Sequence, residues 1–175
     1  MTRKEYKEIL NYELYKAWKL SPLQKFRLKY FSPNTNCMYL CRKMWYLHQK
    51  GGFASLFSKF YYNRIMHKYG CCIYSNATVG RGFSIVHPVG IVIGKAEIGE
   101  NFTIYQNCTV GVRRENDESK GLTPKIGNNV KLCSNSLIIG NVTIADNVTI
   151  GAQSLILTSI IESGVYAGSP AKRVK

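Results

Sequence analysis

The chain has 175 residues, 45% of them hydrophobic, with six cysteines and a formal charge of +14. That length suits one ordinary domain, or a coil of about half the chain with a helical preface. No run of eighteen apolar residues occurs, which argues against a spanning helix. Met1–Glu5 carries charge with no apolar stretch behind it, so the expectation is a cytoplasmic chain without a signal peptide.

Residues 1–70 are predicted to be a basic α-helical region. Thr2 with Glu5 makes a capping box, and Tyr6, Leu10, Leu14 and Trp18 recur on one face. Ser21 and Gln24, with Pro22 at the first position, start a second helix that runs to about Phe31. A third is expected near Thr35 to Gln49, ending at Gly51-Gly52, and a fourth from about Ala54 to Tyr69, closed by Gly70. This region holds fourteen Lys and Arg against three Glu, while residues 71–175 hold ten basic and seven acidic residues. The basic surface therefore belongs mainly to the preface. It could be a solvated face, or could make peripheral contact with an anionic membrane or polymer. The dense aromatics (Phe53, Phe57, Phe60, Tyr61, Tyr62) read as core or oligomer contact. Cysteines lack C-x-x-C spacing, so neither a zinc site nor a redox motif is expected.

From Ile73 onward the chain is written in sixes. Aliphatics recur at Ile73, Val79, Ile85 and Ile91, then after one extra residue at Ile98, Ile104 and Val110; they resume at Ile126, Leu132, Ile138, Ile144 and Ile150. Fixed-period self-similarity is the mark of a solenoid, here a parallel β-helix. Three residues after each aliphatic stands Asn or Gly in nine of twelve cases: Asn76, Gly82, Gly94, Asn101, Asn107, Asn129, Asn135, Asn141 and Asn147. These residues tolerate positive φ, so the column predicts left-handed turns at the corners. The next column (Ala77, Phe83, Val89, Phe102, Cys108, Val130, Ser136, Val142, Val148, Ser154) should line the bore with the aliphatics. The exceptions in the corner column are Pro88, Arg113 and Gln153, and Pro88 follows His87, the only histidine of the coil. Residues 112–125 form a charged interruption, read as an external loop on the 71–175 coil.

Gly82 to Gly94, with the segment Ser84-Ile85-Val86-His87-Pro88 inside it, resembles the active-site coil of the serine acetyltransferase branch of the hexapeptide-repeat acyltransferases. The likeness continues through Ile104–Gly111, Pro124–Gly127 and Ala167-Gly168-Ser169-Pro170-Ala171-Lys172. It implies a left-handed parallel β-helix, preceded by helices, that transfers acetyl from acetyl-CoA to a hydroxyl without a metal. His87 would be the general base, since imidazole titrates near neutrality and a thioester is already activated. His48 and His67, in the helices, read as structural. The resemblance further implies a homotrimer, with dimerisation of trimers left open. Acetyl-CoA would lie along a groove between subunits, near Gly111, Ser134 and Ala152, with Lys172, Arg173 or Lys175 by its phosphates.

Three positions depart from the family pattern. Cys72 stands where an aspartate orients the histidine, Val86 where another helps hold the serine ammonium, and Thr123 where a further histidine is usual. Glu115, Asp117 or Glu118 from the loop, or a backbone carbonyl, are candidates to orient His87. Loss of both amino-acid-recognising groups leads to the expectation of a capsular or surface polysaccharide sugar as acceptor. Serine O-acetylation in cysteine biosynthesis is the alternative. A zinc-dependent trimeric β-helix would need several coil histidines, and a non-enzymatic scaffold would bind no CoA. Nucleic acid is not expected as a partner.

Overall fold

The computed structural model describes residues 1–14 and 20–175; Trp18, expected on the first helix, lies outside the described residues. Four helices come first: α1 (Arg3–Leu14), α2 (Pro22–Phe31), α3 (Pro33–Lys50) and α4 (Gly52–Tyr69). Both anticipated capping boxes form. Thr2 Oγ1 accepts from the Glu5 amide at 3.2 Å while the Glu5 carboxylate takes the Thr2 amide at 2.8 Å, and Ser21 and Gln24 exchange the same pair of bonds. Gly70 closes α4 in the left-handed region, with φ 61° and its amide donated to the Met66 carbonyl.

The coil begins at once with β1 (Cys72–Ile73) and winds three parallel walls. Wall A stacks β1, β4 (Val92–Ile93), β7 (Thr109–Gly111), β10 (Leu137–Ile139) and β13 (Leu155–Ile156). Wall B stacks β2 (Thr78–Val79), β5 (Glu97–Ile98), β8 (Lys125–Ile126) and β11 (Thr143–Ile144). Wall C stacks β3 (Ser84–Ile85), β6 (Thr103–Ile104), β9 (Lys131–Leu132), β12 (Val148–Ile150) and β14 (Gly164–Gly168), with β15 (Ala171–Arg173) returning antiparallel to β14. The result is a parallel β-solenoid of about five turns. Every parallel ladder joins one turn to the next, so a two-residue strand inside the stack is paired on both sides although it is short.

Two edges of this prism carry the left-handed turns. Along the B-to-C edge, Gly82, Asn101, Asn129 and Asn147 all have positive φ; along the C-to-A edge, Gly90, Asn107, Asn135 and Gln153 do. Asparagine does more here than tolerate the conformation. Asn101 Nδ2 donates to Asn129 Oδ1 at 3.0 Å and Asn129 Nδ2 to Asn147 Oδ1 at 3.0 Å, while Asn107 Nδ2 reaches Asn135 Oδ1 at 3.1 Å. Each ladder is topped by a glycine, because a Cβ at Gly82 or Gly90 would collide with the amide oxygen of Asn101 or Asn107. The third edge differs: Asn76, Gly94 and Asn141 do not take positive φ, contrary to expectation, and Gln153, read as an exception, does.

The register also corrects the sequence reading. Ile93, not Ile91, pairs with Ile73 and Val110, and Ile85 pairs with Ile104. The C-to-A corner after β3 is therefore two residues longer than the one below it, while the corner between Ile93 and Ile98 is one residue shorter than that between Ile73 and Val79. Those changes add up to the single extra residue visible in the spacing. Ile91 takes the bore position that Val89 was expected to fill; Ile91 is buried, whereas Val89 is 58% exposed. The other nine predicted members of that column are buried, with Phe83 and Phe102 stacked at 6.3 Å.

Helices and coil are tied by a buried ion pair. Arg42 of α3 gives Nε and Nη2 to the two carboxylate oxygens of Glu13 on α1, at 2.8 and 2.6 Å. Arg42 Nη1 reaches the Val79 carbonyl at 2.7 Å and Nη2 also reaches that of Gly80, while Glu13 Oε1 accepts the Gly82 and Phe83 amides at 2.8 and 2.9 Å. Every polar atom of the pair is engaged, the condition under which burying charge is tolerated.

Candidate active site

His87 and Pro88 are the two residues inserted into the C-to-A edge. Val86 still pairs normally, its amide on the Ile104 carbonyl at 3.0 Å, and the Val89 amide closes the bulge on the His87 carbonyl at 2.9 Å. Pro88 is buried beneath while His87 projects and is exposed. Proline suits this place because it fixes φ and needs no partner for an amide. The imidazole is thus lifted off the wall by a pinned two-residue bulge. Its ring neighbour is Tyr105, edge-on at 6.5 Å between centroids.

Directly along the same edge lie Gln106, Ser134 and Ala152, one per turn, as the successive amide-to-carbonyl bonds from Asn107 to Val89, Asn135 to Gln106 and Gln153 to Ser134 establish. Gln106 lies within the Ile104–Gly111 segment, where the sequence does not single it out. Its Oε1 is buried and is the single such side-chain atom among the described residues without a hydrogen-bond partner. A buried unpaired acceptor costs about 1–3 kcal/mol, so it marks a place where a donor is wanted. The available signal was a long polar residue at an edge position that the next two turns fill with Ser134 and Ala152.

The remaining candidates are elsewhere. Gly111 ends β7 at the opposite edge of wall A, and a Cβ there would meet only Thr109 Cγ2, at 3.9 Å, so packing does not demand glycine. Thr123 is buried at that same far edge. The external loop runs down it: the Glu118 carboxylate accepts from Asn76 Nδ2 at 2.8 Å, Asp117 caps the Arg114 amide at 3.0 Å, and Arg113 reaches the Leu157 carbonyl at 3.3 Å. Glu115, Asp117 and Glu118 are consequently not brought to His87 within one chain. Cys72 sits on β1 against Tyr62 of α4. Lys172 and Arg173 lie on β15 with Lys175 beyond, at the last turn, and Arg173 is committed to Glu162 at 3.0 Å. No group of three His, Cys, Asp or Glu that could hold a metal occurs among the described residues, and no described helix is long and apolar enough to cross a membrane.

Residues 123–158 match the family described as bacterial transferase hexapeptide (six repeats). A serine acetyltransferase of Staphylococcus xylosus is 39% identical over 107 residues, covering 61% of this chain and 49% of that protein. The chain therefore spans about half the length of the curated relatives it matches. Among solved structures, the serine acetyltransferase of Neisseria gonorrhoeae superimposes with a TM-score of 0.81 at 27% identity, covering 99% of this chain and 68% of that one. The serine acetyltransferase of Brucella abortus in complex with coenzyme A gives 0.83 at 22%, covering 98% and 68%, a likeness of fold alone.

These likenesses overturn the sugar acceptor. The expectation rested on Val86 and Thr123 in place of charged groups, but the relatives are named for serine. Thr123 is buried at the edge opposite His87, so its identity says nothing about what binds beside His87 in the same chain. An ammonium can also be held by uncharged acceptors. Residues 123–158 are hexapeptide repeats of the bacterial transferase kind, in a chain whose fold from the first helix to the last strand is that of the serine acetyltransferases.

Proposed function

We propose that this chain is an acetyl-CoA-dependent O-acetyltransferase whose acceptor is a small hydroxy amino acid, L-serine foremost. The observation that carries the reading is the His87–Pro88 bulge: two extra residues in an otherwise regular edge, one of them an exposed imidazole, on the edge that also holds the unpaired Gln106 acceptor in the next turn. In the reaction, neutral His87 takes the proton of the acceptor hydroxyl as its oxygen attacks the thioester carbonyl. The tetrahedral centre collapses with loss of the thiolate, and the imidazolium returns the proton to sulfur. Gln106 Oε1 would receive an N–H of the acceptor ammonium.

His87 is exposed in the single chain, so a second wall is needed to exclude water. His87, Ser134 and Ala152 line one edge of wall A, and Gly111 with the loop lines the other. Three chains laid edge to edge would bring the two sets together, which supports a homotrimer with the donor's pantetheine arm between subunits. Lys172, Arg173 and Lys175 would then meet its phosphates, Arg173 after exchanging Glu162 for them. The test is thiol release from acetyl-CoA. Release that depends on L-serine and is lost in His87→Ala, with the fold intact by circular dichroism, is expected. Absence of L-serine-dependent release, or full turnover by His87→Ala, would sink the proposal.

A further inference from the structure

The helical preface is built inside out along α4. Ser58 and Ile65 face inward and are buried, yet the opposite side of the helix presents Phe53, Leu56, Phe57 and Phe60 at 77, 59, 52 and 59% exposure. Their spacing of three, four and seven residues puts them on one stripe. The stripe continues into Arg64 and is flanked by Lys59, both exposed. On α2, Leu23, Phe26 and Phe31 are exposed in the same way, among Lys25, Arg27 and Lys29. Solvent-facing phenylalanine on this scale marks an interaction surface.

The charge around it identifies the occupant. Residues 20–70 contain nine Lys and Arg and not one Asp or Glu. One of the nine, Arg42, is turned inward and paired with Glu13, and Lys59 and Arg64 are exposed. A second copy of the same face would set cations against cations with no carboxylate to pair them. Phenylalanine and leucine side chains flanked by lysine and arginine match instead the boundary between headgroups and acyl chains of an anionic bilayer.

We propose that the outer faces of α2 and α4 dock the protein on an anionic lipid surface. Phe53, Phe57 and Phe60 enter the headgroup boundary, with Lys59 and Arg64 on the phosphates. The bound enzyme would lie with its helices on the membrane and its coil in water.

The full-length chain is floated with vesicles of phosphatidylcholine alone or mixed with phosphatidylglycerol, at low and high salt. Binding to the mixed vesicles at low salt, at least tenfold weaker on neutral vesicles, is expected. Each basic residue at such a surface multiplies affinity about fivefold, so Lys59→Glu/Arg64→Glu should weaken binding about 25-fold or more. Phe57→Ser/Phe60→Ser should weaken it about tenfold or more, with acetyl transfer and light-scattering mass unchanged. Equal binding to neutral vesicles, or none to mixed ones, overturns the proposal. So does a fall in mass on Phe57→Ser/Phe60→Ser, which would make the face a contact between copies. Tighter binding to single-stranded oligonucleotide than to vesicles, with loss in the same variant, would assign the aromatics to base stacking and overturn it likewise.

Discussion

Replacing Glu13 by alanine should loosen the joint between helices and coil by an amount the structure allows one to work out. Glu13 takes two hydrogen bonds from Arg42 and two from the backbone amides of Gly82 and Phe83. Its removal leaves the Arg42 guanidinium, 3% exposed, facing only the carbonyls of Val79 and Gly80. Breaking a buried pair from one side costs about 3–5 kcal/mol, and the two orphaned amides add about 1–3 kcal/mol each unless water enters. With water entering to satisfy the amides the loss is about 4 kcal/mol, a large part of the roughly 5–15 kcal/mol that holds a domain together. Urea unfolding at fixed protein concentration, read by fluorescence of Trp45, reports it, because that indole packs edge-on against Phe83 at 5.5 Å and donates to the Tyr74 carbonyl at 3.0 Å. Glu13→Ala/Arg42→Ala should cost less than the two single changes together, with a coupling of about 2 kcal/mol. If Glu13→Ala lost under about 1 kcal/mol and the coupling were near zero, the joint would rest on apolar packing, and the account of this pair would be wrong.

Within the coil, Asn129→Ala should cost about 2–3 kcal/mol by chemical denaturation, because it removes two ladder bonds and leaves an ordinary residue at φ 56°. Asn129→Gly, which forfeits the bonds but not the conformation, should cost about 1–2 kcal/mol less. Gln106→Leu should raise the KM for L-serine more than it lowers kcat, while the KM for acetyl-CoA stays put, as expected of a group that holds the acceptor and not the donor. The thiols of Cys37 and Cys71 are pushed up, Cys37 first by its hydrogen bond with Cys41 and Cys71 by its bond with Cys37, with burial adding to both; burial raises Cys108 too. A thiol reagent near pH 8 should therefore find at most Cys72 and Cys133 quickly in the native protein and all six in urea. The same shifts make folding stability complete below the ordinary thiol pKa of about 8.5 and progressively lost above it, so the urea midpoint should fall on the alkaline side and not between pH 6 and 8.

The helices could be read from their ends, since each start or stop is a local device such as Ser21 with Gln24 or a left-handed Gly70. The coil could be read from its period, but not its phase at the bulge. Ile91-Val92-Ile93 offers two aliphatics on the same side, and a strand shifted by two residues keeps every side chain on its face. Spacing alone therefore registered one added residue where the chain gains two at one corner and sheds one at the next. The column of Asn and Gly looked uniform because the same residues serve three different corners, and at one of them Asn76, Gly94 and Asn141 do not take positive φ. The candidate base was legible as a lone histidine beside a proline; the Gln106 acceptor and the Glu13–Arg42 pair were not, since both depend on which residues stack 17 to 70 positions apart. The acceptor was misjudged because the uncharged Val86 and Thr123 were weighed above a likeness to relatives that are named for serine.

A wall held together from storey to storey does not pass length changes along the chain. The bulge at His87 and the long detour at 112–124 each leave the strands above and below in step. Edges of such a prism are thus free ground: an arm can be lengthened, or a reactive group raised or removed, without rebuilding the masonry. A chain of this construction can change what it acts on by editing a few residues at one corner, while everything that keeps it folded stays as it was.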